Sequence, residues 1–428
     1  MPAATTSGSA DTPKLTEAQS LAKSSPEKAE AIYKDVLSRH PGSSEAAMKT
    51  FESALIGLGG LYRDQNKANE LAELVGQTRD SLSGFAKAKT AKLVRQLLDL
   101  FSGIPKSLEI QIAITRSCID WANRERRSFL RQSLETRLVA LYMEKKTYFE
   151  ALQLVNTLLR ELKRLDDKLM LVEVQLLESR IYHALGNVPK GRAALTSART
   201  SAASVYTPPA LQAALDMQSG MLHAEDKDFS TAFSYFVEAL EGYHAQEDKQ
   251  KATAALQYML LCKVMLNAGN DVSSILLSKH AVRYAGPGLD AMKAVARAHE
   301  NRSLEEYEKA LTKFRWNLGA DRFVASHLAH LYDAMLEQNL VKLIEPYSRV
   351  EIAHVAKQVG LDTHQVERKL SQMILDKVIV GVLDQGTKCL IVYDEGERDG
   401  GYDAALETIE KLSNVVDVLY TNQASMLE

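Results

Sequence analysis

Residues 346–393 read PYSRVEIAHVAKQVGLDTHQVERKLSQMILDKVIVGVLDQGTKCLIVY, and the period of their apolar residues changes once. Val350, Ala353, Val355, Ala356 and Val359 recur at helical spacing, and Gly360 stands where a helix C-terminus favours a left-handed residue. Asp362 or Thr363 is placed to cap a second helix, whose stripe is Val366, Leu370, Met373 and Ile374. From Ile379 the pattern alternates, so Ile379–Leu383 and Cys389–Tyr393 are expected strands with Asp384-Gln385-Gly386-Thr387 as their turn. Helix, turn, helix, hairpin is the order of a winged helix.

Charge decides what that winged helix can bind. Between Asp362 and Lys377 the acids Asp362, Glu367 and Asp376 balance the bases Arg368, Lys369 and Lys377. A helix docking on phosphates needs a basic surplus, because counterion release supplies much of the affinity. The segment after the wing carries Asp394, Glu395, Glu397 and Asp399 against Arg398 alone, which would repel a duplex. Protein contact is therefore the expected role, and no nucleic-acid partner is expected.

The remainder of the chain is dominated by a repeat. Taking Ser20, Tyr62, Phe101, Tyr142, Tyr182, His223 and Met265 as equivalent, the steps are 42, 39, 41, 40, 41 and 42 residues. Nine residues further on lie Ala29, Leu71, Ile110, Ala151, Gly191, Ala232 and Ser274, mostly small, as close helix packing requires. Thirteen residues on, six of seven positions are apolar: Tyr33, Val75, Ile114, Val155, Leu195 and Phe236, with Ser278 the exception. Pro41 falls where the second helix of the first unit must stop. Stacked helix pairs of tetratricopeptide type, with a period longer than 34, account for the even spacing.

The chain has 428 residues, 46% hydrophobic and 25% charged, with a net charge of −3, so bulk charge selects no polyanionic partner. Three scattered cysteines, Cys118, Cys262 and Cys389, suggest neither a disulfide framework nor a zinc knuckle, and fit a reducing compartment in cytoplasm or nucleus. No segment approaches a membrane span, and no membrane partner is expected.

Catalytic signatures are not found. The ten histidines include no His-x-His; His327 and His330 with Asp333 stand at helical spacing and read as structural residues rather than a metal site. Gly57-Leu58-Gly59-Gly60 lacks the preceding strand of a dinucleotide loop and reads as a helix-packing feature. No catalytic residue, metal or cofactor is expected.

Surfaces are better candidates. Ile379, Val380, Val382, Leu390 and Val392 form the wing, whose exposed edge would offer a template for another chain. Leu406, Ile409, Leu412, Val416 and Leu419 make an apolar stripe along a helix of about 39 Å. Lys87, Lys89, Lys92 and Arg95 form a possible basic contact patch, and residues 116–137 hold six arginines against three acids.

Helical repeats leading through SLEEYEKALTKFRWNLGADRFVASHLAHLYDAM into the winged helix resemble a PCI domain. More narrowly, ERKLSQMILDK, GVLDQG, YDAALETIEKLSNVVDVLY, AEAIYKDVL, DLFSGIP and SCIDWANRERRSFLRQSLETRLVALYMEKKTYFEALQL are similar to the 26S proteasome non-ATPase regulatory subunit 11 family. The resemblance implies a mainly α fold: a right-handed α-solenoid of tetratricopeptide-like helix pairs, a winged-helix (PCI) module and a long C-terminal helix. It implies the solenoid at 14–300, the PCI helical junction and winged helix at 301–395 with its wing at 379–393, and a bundle helix at 402–428; the Ala-, Ser- and Thr-rich start, 1–13, shows no family pattern and is expected to be disordered from its composition alone. It implies a noncatalytic scaffold in the lid of the regulatory particle, clamping it to the core particle in ubiquitin-dependent degradation. The implied partners are other PCI-containing lid subunits, the ATPase ring and the α-ring of the core particle. The alternative is a PCI scaffold of the signalosome or, more distantly, of a translation-initiation or messenger-export complex.

Overall fold

A computed structural model describes residues 11–21, 25–38, 45–81, 87–105, 107–301, 303–319, 321–393 and 400–427. Pro41 and the charged segment 394–399 lie outside these. Contacts divide the chain into two units, Met1–Leu266 and Asn267–Glu428.

The first unit is helical throughout its described residues. It opens with α1 (Asp11–Leu21), α2 (Pro26–Ser38), α3 (Glu45–Asp64), α4 (Ala68–Ser81) and α5 (Lys87–Leu100), then a 3-10 turn at Phe101–Gly103. Of the stretch 1–13 expected to be disordered, Asp11, Thr12 and Pro13 belong to α1, and residues 1–10 lie outside the described residues. A proline is tolerated in a first turn because its missing N–H has no intrahelical acceptor there.

A strict cadence follows. The helices α6 (Leu108–Arg124), α7 (Ser128–Lys145), α8 (Tyr148–Leu165), α9 (Lys168–Ala184), α10 (Val188–Ala203), α11 (Pro209–Glu225), α12 (Phe229–Ala245) and α13 (Lys249–Met265) start every 20 residues, with one step of 21 at Pro209. The turns keep the same beat. Arg126, Lys146, Asp166, Gly186, Lys227 and Glu247 all have positive φ. At four of the inter-helix turns the residue after the helix stop reaches back five positions: Lys67, Thr147, Asn187 and Asp228 donate to the carbonyls of Tyr62, Tyr142, Tyr182 and His223. These four acceptors are repeat anchors of the sequence pattern, and the bond is the one that closes a Schellman motif. Asp167, Asn187, Asp228 and Asp248 then cap the next helices through their side chains.

Small residues let the paired helices touch. Ala29, Ala151 and Ala232 are 0% exposed. At Gly191 a Cβ would lie 3.4 Å from the Ser179 carbonyl, and the Ser179 hydroxyl donates to the Gly191 carbonyl at 2.8 Å. The Gly57–Gly60 run lies inside α3, where a Cβ at Gly57 would meet the Tyr33 ring at 3.0 Å, so it serves helix packing.

The second unit begins with α14 (Gly269–Leu276), α15 (Lys279–Arg283), α16 (Pro287–Glu300), α17 (Leu304–Lys313), α18 (Arg315–Gly319) and α19 (Arg322–Ile344). Here the repeat decays, since Ser274 is exposed and Ser278 caps α15 instead of packing in a helix. Next come β1 (Arg349–Glu351), α20 (Ile352–Val359), α21 (Thr363–Leu375), β2 (Gly381–Asp384), β3 (Cys389–Val392) and, after the undescribed segment, α22 (Gly400–Leu427).

The winged helix is present, with one addition. Gly360 takes the left-handed conformation, φ +77°, at the end of α20. Asp362 is the N-terminal cap of α21 but makes no side-chain capping bond. The expected two-stranded ribbon is a three-stranded antiparallel sheet of order β1-β3-β2. Val350, read as helical, belongs to β1 and pairs with Leu390. One core joins Leu336, Leu340 and Ile344 of α19 to Val355, Val366, Leu370 and Leu390.

Candidate interaction surfaces

β3 is central, so the wing has its open edge on β2. Tyr393 donates to the Val380 carbonyl at 2.8 Å, and Gly381–Asp384 pairs with Cys389–Val392. Antiparallel bonding alternates, so Val382 and Asp384 exchange bonds with β3 while Gly381 and Leu383 turn their backbone groups outward. Gly381 is required, because a Cβ there would sit 2.5 Å from the Ile391 carbonyl oxygen. The turn is fixed by Asp384, which accepts from the Gly386 N–H at 2.9 Å and the Thr387 hydroxyl at 2.6 Å. Those two donors hold its carboxyl below the usual carboxylate value.

The five wing residues divide between surface and core. Val380 is 43% and Val382 52% exposed, and Val392 is half-buried. Ile379 at 7% and Leu390 at 0% belong to the core, so neither offers a surface to a partner. Their place is taken by Val378 and Tyr393, both about half exposed. The alternation Val378, Val380, Val382 carried that signal in the sequence. Val380 also donates its N–H to no described residue; its carbonyl, not its amide, is in the ladder.

On α22 the stripe is bare. Leu406, Ile409, Leu412, Val416 and Leu419 are 51–64% exposed, and every side chain described from Ala404 to Tyr420 is exposed. Val415, Val418 and Tyr420 widen the apolar face. A contiguous apolar face of this kind is what interaction surfaces present.

The basic clusters fare differently. Lys87, Lys89, Lys92 and Arg95 all lie on α5, and the last three are exposed. The arginines of 116–137 are largely committed within the fold. Arg116 donates to the Tyr142 hydroxyl at 2.9 Å, Arg127 stacks over Trp121, Arg131 pairs with Glu161, and Arg137 with Asp99. On α21, Lys369 binds Glu337 of α19 at 2.8 Å, which takes one base from its already balanced charge. His327 is buried edge-on against Phe323, whereas His330 and Asp333 are exposed, so the three do not converge. Cys118, Cys262 and Cys389 are free and buried, and burial pushes the Cys262 thiol up to about 12.

The 26S proteasome regulatory subunit RPN6 N-terminal domain matches residues 11–145, the PCI domain residues 311–394, and the RPN6 C-terminal helix domain residues 398–424. The probable 26S proteasome regulatory subunit rpn6 of Schizosaccharomyces pombe is 54% identical over 401 residues, covering 94% of this chain and 95% of the relative. The chain belongs to the RPN6 family of 26S proteasome regulatory subunits. Two further members are similar along almost their whole length. The 26S proteasome non-ATPase regulatory subunit 11 homolog of Arabidopsis thaliana is 48% identical, covering 90% of this chain and 92% of its own. RPN6 of Saccharomyces cerevisiae is 45% identical, covering 97% and 98%. In this family the wing lies inside the PCI domain, and α22 is a domain of its own.

Proposed function

We propose that this chain is a noncatalytic scaffold in the lid of the proteasome regulatory particle, acting in the cytoplasm and nucleus. It clamps the regulatory particle to the core particle and so supports ATP- and ubiquitin-dependent degradation. The observation carrying this reading is α22, whose described apolar side chains, Leu406 to Tyr420, are all exposed. A helical bundle with neighbouring lid subunits supplies that cover. The wing edge at β2 pairs with other PCI subunits, and the helical first unit meets the ATPase ring and the α-ring of the core particle.

Affinity purification of the tagged chain, with mass spectrometry of what accompanies it, tests the reading. Recovery of ATPases and core subunits supports it; a cullin-associated set would place the chain in a signalosome instead. Val382→Lys refines the test. Its side chain is half exposed, so thermal stability should hold within about 0.5 kcal/mol, while recovery of PCI-containing partners drops. Unchanged recovery would exclude the wing from assembly.

A further inference from the structure

Helices α17 and α19 run antiparallel. The start of α17, Ser303–Glu305, shares one cavity with Asn339 and Leu343, and its later residues share another with Ala325 and Leu328. This second cavity, about 520 Å³, is a mostly apolar groove to which α18 contributes Arg315, Leu318 and Gly319. Leu311, Leu318 and Leu328 form its walls, and Gly319, Ala325 and Ala329 leave its mouth open. A Cβ at Gly319 would meet nothing within 4 Å. Trp316, beside it in α18, is 91% exposed.

The two ends of the groove differ in charge. Glu308 and Asp333 stand at one, where the Tyr332 hydroxyl donates to Glu308 at 3.3 Å. Arg315 stands at the other, and neither it nor Asp333 has an ion-pair partner among the described residues. From Asp333 back to Ala325 the rise is roughly 12 Å, or about two helical turns. Beyond Tyr332 the lining turns polar, with Lys342 and Lys357 in the neighbouring cavity, so the apolar length is bounded.

The geometry points to a docking groove for a short amphipathic helix of a protein partner, its N-terminus over Glu308 and Asp333 and its C-terminus over Arg315. A helix carries partial positive charge at its first turn and negative charge at its last, so it complements the groove in one direction only. Small residues at the mouth allow its backbone to approach, and apolar anchors at i, i+3 or i+4, and i+7 match two turns. Trp316 is placed to fold over the seated helix, as an aromatic at the margin of a pocket does.

Two fluorescein-labelled 14-residue helical peptides with the same leucine stripe test this on the full chain. One carries lysines in its first turn and glutamates in its last; the other reverses them. Polarisation titrations should show the first binding at least tenfold tighter, with the preference shrinking in high salt, and Trp316 emission should shift to the blue. Since α22 also displays apolar surface, Ala329→Arg is the control: it should weaken the first peptide at least tenfold without changing the thermal melt. Equal affinity for both peptides, no loss in Ala329→Arg, or loss on deleting α22 instead would overturn the proposal. So would a dimer abolished by Ala329→Arg, which would make a second copy the occupant, or a preference for a small apolar dye over both peptides.

Discussion

Removing residues 402–428 separates two accounts of α22 by a wide margin. If the helix packed on its own unit, Leu406, Ile409, Leu412, Val416 and Leu419 would each contribute about 1.5–3 kcal/mol of burial. Five such side chains give roughly 8–15 kcal/mol, comparable to the whole stability of an ordinary domain, and the truncated unit would not stay folded. The side chains are instead 51–64% exposed, so the isolated chain loses almost nothing, within about 0.5 kcal/mol. In a bundle the remaining half of each is covered, a gross gain of about 5–8 kcal/mol before the ordering costs of association. Calorimetry of full-length and truncated chains should therefore give the same transition temperature. Reconstitution with the other lid subunits should recover only the full-length chain. A truncated chain that aggregates, or melts several degrees lower, would refute the reasoning, as would truncated protein entering the complete assembly.

Two further predictions concern the helical first unit. Gly220→Ala in α11 would put a Cβ 2.6–2.9 Å from three ring atoms of the fully buried Phe236, and should destabilise by about 1–3 kcal/mol; Gly59→Ala meets side-chain ends, Leu100 at 2.6 Å, Leu97 at 3.3 Å and Leu71 at 3.5 Å, and should cost less than Gly220→Ala in the same denaturant titration. Asp216, 3% exposed and hydrogen-bonded by Gln212 at 3.2 Å, has its carboxyl raised above the usual value, chiefly by burial. Its folded value exceeds its unfolded one, so its contribution to stability falls as pH rises through that window. Asp216→Asn should gain on the order of 1 kcal/mol at pH 7 and progressively less toward pH 4; an equal gain at both pH values would rule out ionisation as its source.

The winged helix was legible because each of its signals is local. A change of period, a glycine requiring positive φ and a four-residue turn all act within a few residues of where they are read. β1 was not legible for the opposite reason. Three residues with one buried side chain carry no period of their own, and Val350 also fits the helical spacing that begins at Ala353. Its strand character comes from β3, some forty residues later. The repeats were legible because Tyr62, Tyr142, Tyr182 and His223 occupy one structural position, the carbonyl that closes each turn. Alternation predicted the two faces of the wing but not which would be covered, so Ile379 and Leu390 entered the surface set when α19 and α21 in fact enclose them. The groove beside α18 had no signature at all, since antiparallel contact between two helices creates it.

β1 also has a mechanical consequence. It leaves α19 only a few residues before it joins the sheet, and Val392 and Ile352 are tied across it through the Ser348 and Lys388 carbonyls. A pull on the wing therefore loads these bonds as a set, in shear along the strand, before it reaches the loops on either side. The tension passes directly into the 23-residue shaft of α19. The hairpin behaves as a fixed lug on that shaft rather than a hinged flap, and whatever grips the edge of β2 grips α19 with it.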